Sequence, residues 1–272
     1  MFSRATALAV ATALLPGAVL AQSFGTADPA PVYTSPAADD TNLSFTVRGG
    51  LSVSPDYFGS NSYTVGPDFA LRLGSLNIPG WRSFGNSDTT NPRYGFAPRV
   101  SFRYISDRDD ADNGELSGLE DIDRTFELGG GLGYRSYNFD AFADLRYGFG
   151  GSESWVSEVG ADLKLHPNDD LVLRAGPRVL WGADDYASTY FDVTDQEAAQ
   201  SRFESYDADG GVISTGVELG ARYDVGENWG VEGSVTYDRL VGDAADSPIV
   251  EEGDRDQYGI RLGVTRSITL GF

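Results

Sequence analysis

The sequence predicts an all-β protein, an antiparallel transmembrane β-barrel of about ten strands, and three observations predict it. Apolar and polar side chains alternate with period two along most of the chain. The connections between alternating segments are short and long in turn, as in outer-membrane barrels. The composition is glycine-rich and aromatic, with Gly 34, Tyr 14, Phe 15 and Trp 4, yet polar on average. That suits a wall in which only every second residue needs to be apolar.

The chain opens with Arg4, an apolar run from Ala5 to Leu20, and small residues at Val19 and Ala21. This is the layout of a secretory signal peptide, cleaved between Ala21 and Gln22. Residues 1–21 then form the signal peptide, 22–41 an N-terminal periplasmic segment and 42–272 the barrel. With no cysteine in the chain, lipid attachment to an N-terminal cysteine and structural disulfides are both excluded.

Ten segments alternate. Leu43–Ser54 sets Phe45, Val47 and Leu51 against Thr46, Arg48 and Ser52, and Tyr63–Leu73 sets Val65, Phe69 and Leu71 against Asp68 and Arg72. Tyr94–Ile105, Thr125–Tyr137 and Phe139–Phe149 follow the same rule. Trp155–Leu165 and Leu171–Trp181 continue it, the latter setting Leu173 and Val179 against Arg174 and Arg178. Ile213–Val225 is the clearest, with Ile213, Val217, Leu219 and Tyr223 on one face and Glu218 and Arg222 on the other. Trp229–Leu240 and Gln257–Phe272 complete the set. Segments of this length span a bilayer when tilted. Gly74–Arg93, which holds Leu76, Ile78, Trp81 and Phe84, is either an irregular connection or two further short strands, which would make twelve.

Alternation alone does not say which face is inside, and a soluble sandwich or lipocalin-like barrel has the opposite sense. Long strands, aromatics near strand ends (Tyr63, Tyr94, Tyr104, Trp155, Trp181, Trp229) and the terminal strand favour the membrane. Thr265, Leu270 and Phe272 resemble the C-terminal signal read by the barrel-assembly machinery. With the apolar face on lipid, the lumen receives Arg48, Arg72, Arg99, Arg103, Glu127, Asp144, Arg146, Glu158, Asp162, Arg174, Arg178, Glu218 and Arg222. The two signs nearly balance, and unpaired buried charge is costly, so these residues are expected to pair and occlude a narrow lumen. Arg266, on the nominal lipid face, is expected near an interface.

The net charge is −21, which excludes a nucleic-acid partner because phosphate recognition needs clustered Lys and Arg. Much of the acid lies in the long loops, in residues 107–123 and 243–256. It is either solvated or bridged by divalent cations to lipopolysaccharide phosphates, and its spacing is not that of a calcium loop. Within the loop after Trp181, Thr194-x-x-Glu197 is a capping box opening a short helix through Gln200. Pro248 with Asp243 and Asp246 suggests a rigid turn beside it. Tyr190, Phe191, Thr194, Asp243, Asp246 and Pro248 are the candidates for a recognition surface or plug, or for a loop stabilised for assembly.

Several segments resemble the MipA/OmpV (MltA-interacting protein) family. Ser54-Pro55-Asp56-Tyr57-Phe58-Gly59-Ser60 is similar to its Pro-x-Tyr-x-Gly-Ser turn, and Gly118-Leu119-Glu120-Asp121-Ile122-Asp123 to its Gly-Leu-Gly-Asp-Ile-Asp pattern. Tyr190-Phe191-Asp192-Val193-Thr194 and the stretch Leu240–Val250 match as well, with Asp192 and Glu120 standing where the family has glycine. The resemblance implies a scaffold that holds a murein lytic transglycosylase and a peptidoglycan synthase at the outer membrane, among lipid and lipopolysaccharide. A narrow channel for small solutes, a surface adhesin and a purely structural barrel are the alternatives. Catalysis is not expected. Barrel hydrolases need a general base, whereas the sole His166 sits in a short turn, away from the long loops. No cofactor, metal or catalytic residue is assigned.

Overall fold

The computed structural model describes residues 42–77, 84–85, 94–109, 113–226 and 228–271. The expected signal peptide with its Ala21/Gln22 cleavage point, the segment 22–41, and Phe272 lie outside the described residues. Ten long strands are present: β1 (Asn42–Pro55), β2 (Tyr63–Asn77), β4 (Gly95–Ile105), β5 (Thr125–Arg135), β6 (Phe139–Gly150), β7 (Trp155–Leu165), β8 (Leu171–Gly182), β9 (Gly211–Gly226), β10 (Trp229–Leu240) and β11 (Asp256–Gly271). Between β2 and β4 the only described strand is the two-residue β3 (Phe84–Gly85), which pairs with β2. Among the described residues the wall is therefore ten long strands with one short addition.

All neighbours run antiparallel, in the order β3-β2-β1-β11-β10-β9-β8-β7-β6-β5-β4. The first and last long strands pair from Asn42↔Gly271 to Val53↔Ile260. β2 and β3 return to within 8 Å of β4, so the sheet curls round on itself. Between β7 and β8 the ladder lapses at Ala161–Asp162, opposite Gly176–Pro177. Pro177 has no N–H to give. The Arg178 guanidinium donates to the carbonyl oxygens of Ala161 (3.3 Å) and Pro177 (2.9 Å) at this break.

The wall settles which face is wet. Phe69 is 71% exposed, Leu163 67% and Val65 66%, with Leu51, Phe96, Leu128, Leu219, Ile260 and Leu262 exposed beside them. Their polar neighbours Glu127, Asp144, Arg146, Asp162 and Glu232 are buried. An apolar belt outside and charge inside is the sense of a membrane barrel and the reverse of a soluble one. Arg266 lies near the end of β11 with its guanidinium 4.6 Å from the centre of the Trp229 ring. Ile213, expected on the outward face, is 1% exposed, because a register shift at Leu180/Trp181 turns Val212 outward and Ile213 inward.

Candidate functional site

The β4–β5, β8–β9 and β10–β11 connections lie at one end of the wall, and there the loops fold together. After β8 the chain turns into α1 (Asp184–Phe191) and then α2 (Asp195–Gln200). After β10 come α3 (Gly242–Asp246) and α4 (Pro248–Glu252). The β4–β5 connection contributes a 3-10 turn, Gly114–Leu116. Their apolar residues form two clusters: Tyr186, Tyr190, Phe191, Ala244 and Val250 with Phe58 in the first, and Leu116, Leu119, Val193, Phe203 and Ile249 in the second. The Phe58 ring lies 5.1 Å from Tyr190 and 5.6 Å from Phe191, so the β1–β2 turn joins the same core. The result is a packed cap over the mouth.

Local chemistry explains the entry of each piece. Thr194 and Glu197 form the expected capping box: the Thr194 hydroxyl accepts from the Glu197 N–H (3.2 Å) and Glu197 accepts from the Thr194 N–H (2.8 Å). The other Glu197 oxygen accepts from the Glu120 N–H (2.9 Å), tying α2 to the β4–β5 loop. Gly118 sits at φ 95, and a Cβ there would strike the Gln200 carbonyl oxygen, so this loop crossing needs glycine. The expected rigid turn at Asp243–Pro248 is instead two five-residue helices, with Pro248 opening α4, where its missing N–H costs nothing. Nothing in the sequence reading anticipated α1.

Polar contacts fasten the cap to the strands. Tyr186 donates to Glu127 (3.2 Å), Tyr190 to the Thr125 hydroxyl (2.9 Å), and buried Arg108 to the Tyr190 carbonyl (3.1 Å). Ser247 donates to the Phe191 carbonyl (2.7 Å). Burial holds the Tyr186 hydroxyl well above its ordinary pKa and pushes Tyr190 up to about 12. Burial, with Glu115 beside it, pushes Tyr57 up to about 12 as well. These phenols stay protonated and act as donors.

Of the candidate loop residues, Tyr190 and Phe191 are buried in the cap, at 5% and 0% exposure, and offer no outer surface. Thr194 caps α2. Asp243 accepts from the Asp209 N–H (3.1 Å), and Asp246 pairs with Arg255 (3.4 Å) at the surface. Leu270 lies exposed near the end of β11.

Beneath the cap the lumen is laced with ion pairs, many between strands that are not neighbours. Arg72 on β2 reaches Glu232 on β10 (2.6 Å), and Arg48 bridges Asp68 (2.7 Å) and Glu232 (3.4 Å). Arg174 meets Glu218 (2.8 Å) and Glu232 (3.1 Å), and Arg178 meets Asp162 (2.8 Å). Arg146 joins Glu127 (2.8 Å) to Glu158 (3.0 Å), and Arg99 on β4 reaches Asp144 on β6 (3.1 Å). Phe142 intrudes on this polar face, with the Arg99 and Arg178 guanidiniums 4.4 and 5.3 Å from its ring centre. Arg222 pairs with Asp224 on its own strand. Among the described residues Arg103 has no ion pair, and its guanidinium lies 5.4 Å from the Phe58 ring centre. Sequence reasoning placed these charges in the lumen but gave no partners.

An antiparallel barrel with an apolar exterior and a charged interior belongs to the transmembrane β-barrels. Residues 47–268 match the family described as MltA-interacting protein MipA, and the chain belongs to that family. The MltA-interacting protein of Escherichia coli (strain K12) is 30% identical over 90 residues, which make up 33% of this chain and 36% of that protein. The Shigella flexneri protein of the same name matches to the same extent. The chain thus matches about a third of the length of these curated relatives. Among solved structures, an outer-membrane channel from Pseudomonas putida F1 is 14% identical (89% of this chain, 99% of that chain, TM-score 0.39). The NanC porin is 10% identical (83% and 98%, TM-score 0.36). Likenesses this low carry no weight for function.

Proposed function

We propose that the chain is a non-enzymatic outer-membrane barrel of a Gram-negative bacterium that serves as a scaffold for peptidoglycan-remodelling enzymes, a lytic transglycosylase and a peptidoglycan synthase. Membership of a family described by its interaction with MltA supports a protein partner. The observation that carries the reading is the closed interior: a packed cap above, with Phe191 at 0% exposure, and cross-lumen ion pairs below. A barrel so filled is suited to anchoring more than to free diffusion. His166 lies at the opposite end from the cap, stacked on Tyr137 at 4.3 Å, and supplies no base near the long loops. Lipid, lipopolysaccharide and the barrel-assembly machinery are the further partners that follow from this placement. The test is co-purification of a tagged barrel in mild detergent. Recovery of a lytic transglycosylase or peptidoglycan synthase supports the scaffold, and recovery of neither, with reciprocal pulls also empty, removes it.

A further inference from the structure

The cap closes the end of the wall that carries the long connections. In outer-membrane barrels that end faces the outside of the cell, and the short turns face the periplasm. A partner that works on peptidoglycan therefore meets the short-turn end, and two turns there are built as one piece. They are residues 136–138, between β5 and β6, and residues 166–170, between β7 and β8. The Tyr137 and His166 rings stack with centres 4.3 Å apart and planes 19° from parallel. Lys164 donates from its ammonium to the Ser136 carbonyl (2.7 Å) and from its N–H to the Asn138 carbonyl (2.8 Å). The Ser136 hydroxyl donates to the Phe139 carbonyl (3.0 Å) and accepts from the Phe139 N–H (3.1 Å). The Asn168 side-chain oxygen accepts from the N–H groups of Asp170 (3.0 Å) and Leu171 (2.8 Å). The two turns are thus locked together, with these polar groups engaged internally.

The stack does not belong to the aromatic belt at the lipid boundary. His166 follows outward Leu165 and continues the inward row of Asp162 and Lys164. Tyr137, lying on His166, is brought over the mouth of the barrel, and it is still 55% exposed. An exposed aromatic ring on a rigid support, in water instead of lipid, has the make-up of a binding hot spot. We propose that the Tyr137–His166 platform is where the barrel holds its periplasmic enzyme, through a protein surface that lays a flat apolar or aromatic side chain on Tyr137. This rests on the scaffold reading and adds the place of contact. A glycan strand is the poorer fit, because its hydroxyls need hydrogen-bond partners once water is displaced, and Ser136, Lys164 and Asn168 are already engaged.

The test is co-purification with the tagged full-length barrel in mild detergent, the enzyme being identified by mass spectrometry and then titrated against immobilised barrel. Tyr137→Ala should weaken binding roughly thirtyfold, the loss of one aromatic anchor. Tyr137→Phe should retain it, because the ring face makes the contact. His166→Ala removes the ring behind Tyr137 and should weaken binding roughly fivefold, the worth of one aromatic pair. Glu251→Ala, on the cap surface, should change nothing. Heat-modifiable gel migration verifies that each variant keeps its barrel. A photoreactive benzoylphenylalanine at the position of Asn138 should crosslink to the same enzyme in cells. Undiminished binding by Tyr137→Ala, where the wild type does recover the enzyme, overturns the platform and leaves the scaffold standing. Recovery of no enzyme by the wild type removes the scaffold and the platform with it. A crosslink to lipid alone places the turn in the belt and overturns the proposal. Sedimentation of the barrel with isolated sacculi that depends on Tyr137 and needs no enzyme overturns it in favour of a glycan site.

Discussion

In the wall, Phe69, Leu163 and Val65 turn outward and Glu127, Arg146 and Glu232 turn inward. In the cap the sense reverses: Tyr186, Phe191 and Ile249 are buried while Asp246, Glu251 and Glu252 lie at the surface. The wall is an inverted structure suited to lipid, and the cap is an ordinary water-facing fold with its own apolar core. Glu127 is where they join, because its two oxygens serve Arg146 in the wall and Tyr186 in the cap. The difference teaches where each region draws its stability. Strand hydrogen bonds and ion pairs hold the wall together, and burial of apolar surface from water holds the cap.

Substitutions should separate the two regions. Glu127→Gln strips Arg146 of its best partner within a buried site and should cost about 3–5 kcal/mol. It is expected to lower the temperature at which the heat-modifiable form unfolds. Phe191→Ala should cost the cap a comparable amount, about 3–5 kcal/mol, but without unfolding the barrel. Limited proteolysis within residues 183–210 should then become fast while gel migration stays that of the folded barrel. Thr194→Ala removes one cap and should cost about 1 kcal/mol, read as faster hydrogen exchange in α2 alone. Phe69→Leu on the lipid face should change stability by less than about 0.5 kcal/mol.

The cap should also respond to acid. Burial opposes the Glu197 charge, yet the N–H groups of Glu120 and Thr194, the Thr194 hydroxyl and Arg108 hold its carboxyl below the ordinary range. A carboxylate depressed in the folded state contributes stability above its unfolded pKa and loses it as pH falls through the folded value. Hydrogen exchange in α2 should therefore accelerate below the ordinary carboxylate range. Asp192, raised by burial, acts in the opposite sense. Glu197→Gln should remove the acid-dependent part while leaving the contribution of Asp192.

The wall was legible because a strand's period of two is written residue by residue. Trp155–Leu165 and Trp229–Leu240 begin and end where the alternation does. The facing direction was not, since alternation is symmetrical between inside and outside. Arg72 and Glu232 lie 160 positions apart, and no local pattern links them. The capping box at Thr194 was legible because its two partners sit three residues apart. α1 was hidden: eight residues, Asp184–Phe191, carry little helical pattern, and their burial depends on Phe58 and Val250 arriving from other loops. Ile213 misled because a bulge moved its strand by one position.

The closed interior is tested most directly by single-channel recording of the purified, refolded protein in planar bilayers. Wild-type barrels should show no stable conductance, and Phe191→Ala should produce openings as the cap loosens. Steady conductance from the wild type, falling when Arg174 or Arg178 is replaced, would contradict an occluded barrel and make the chain a pore.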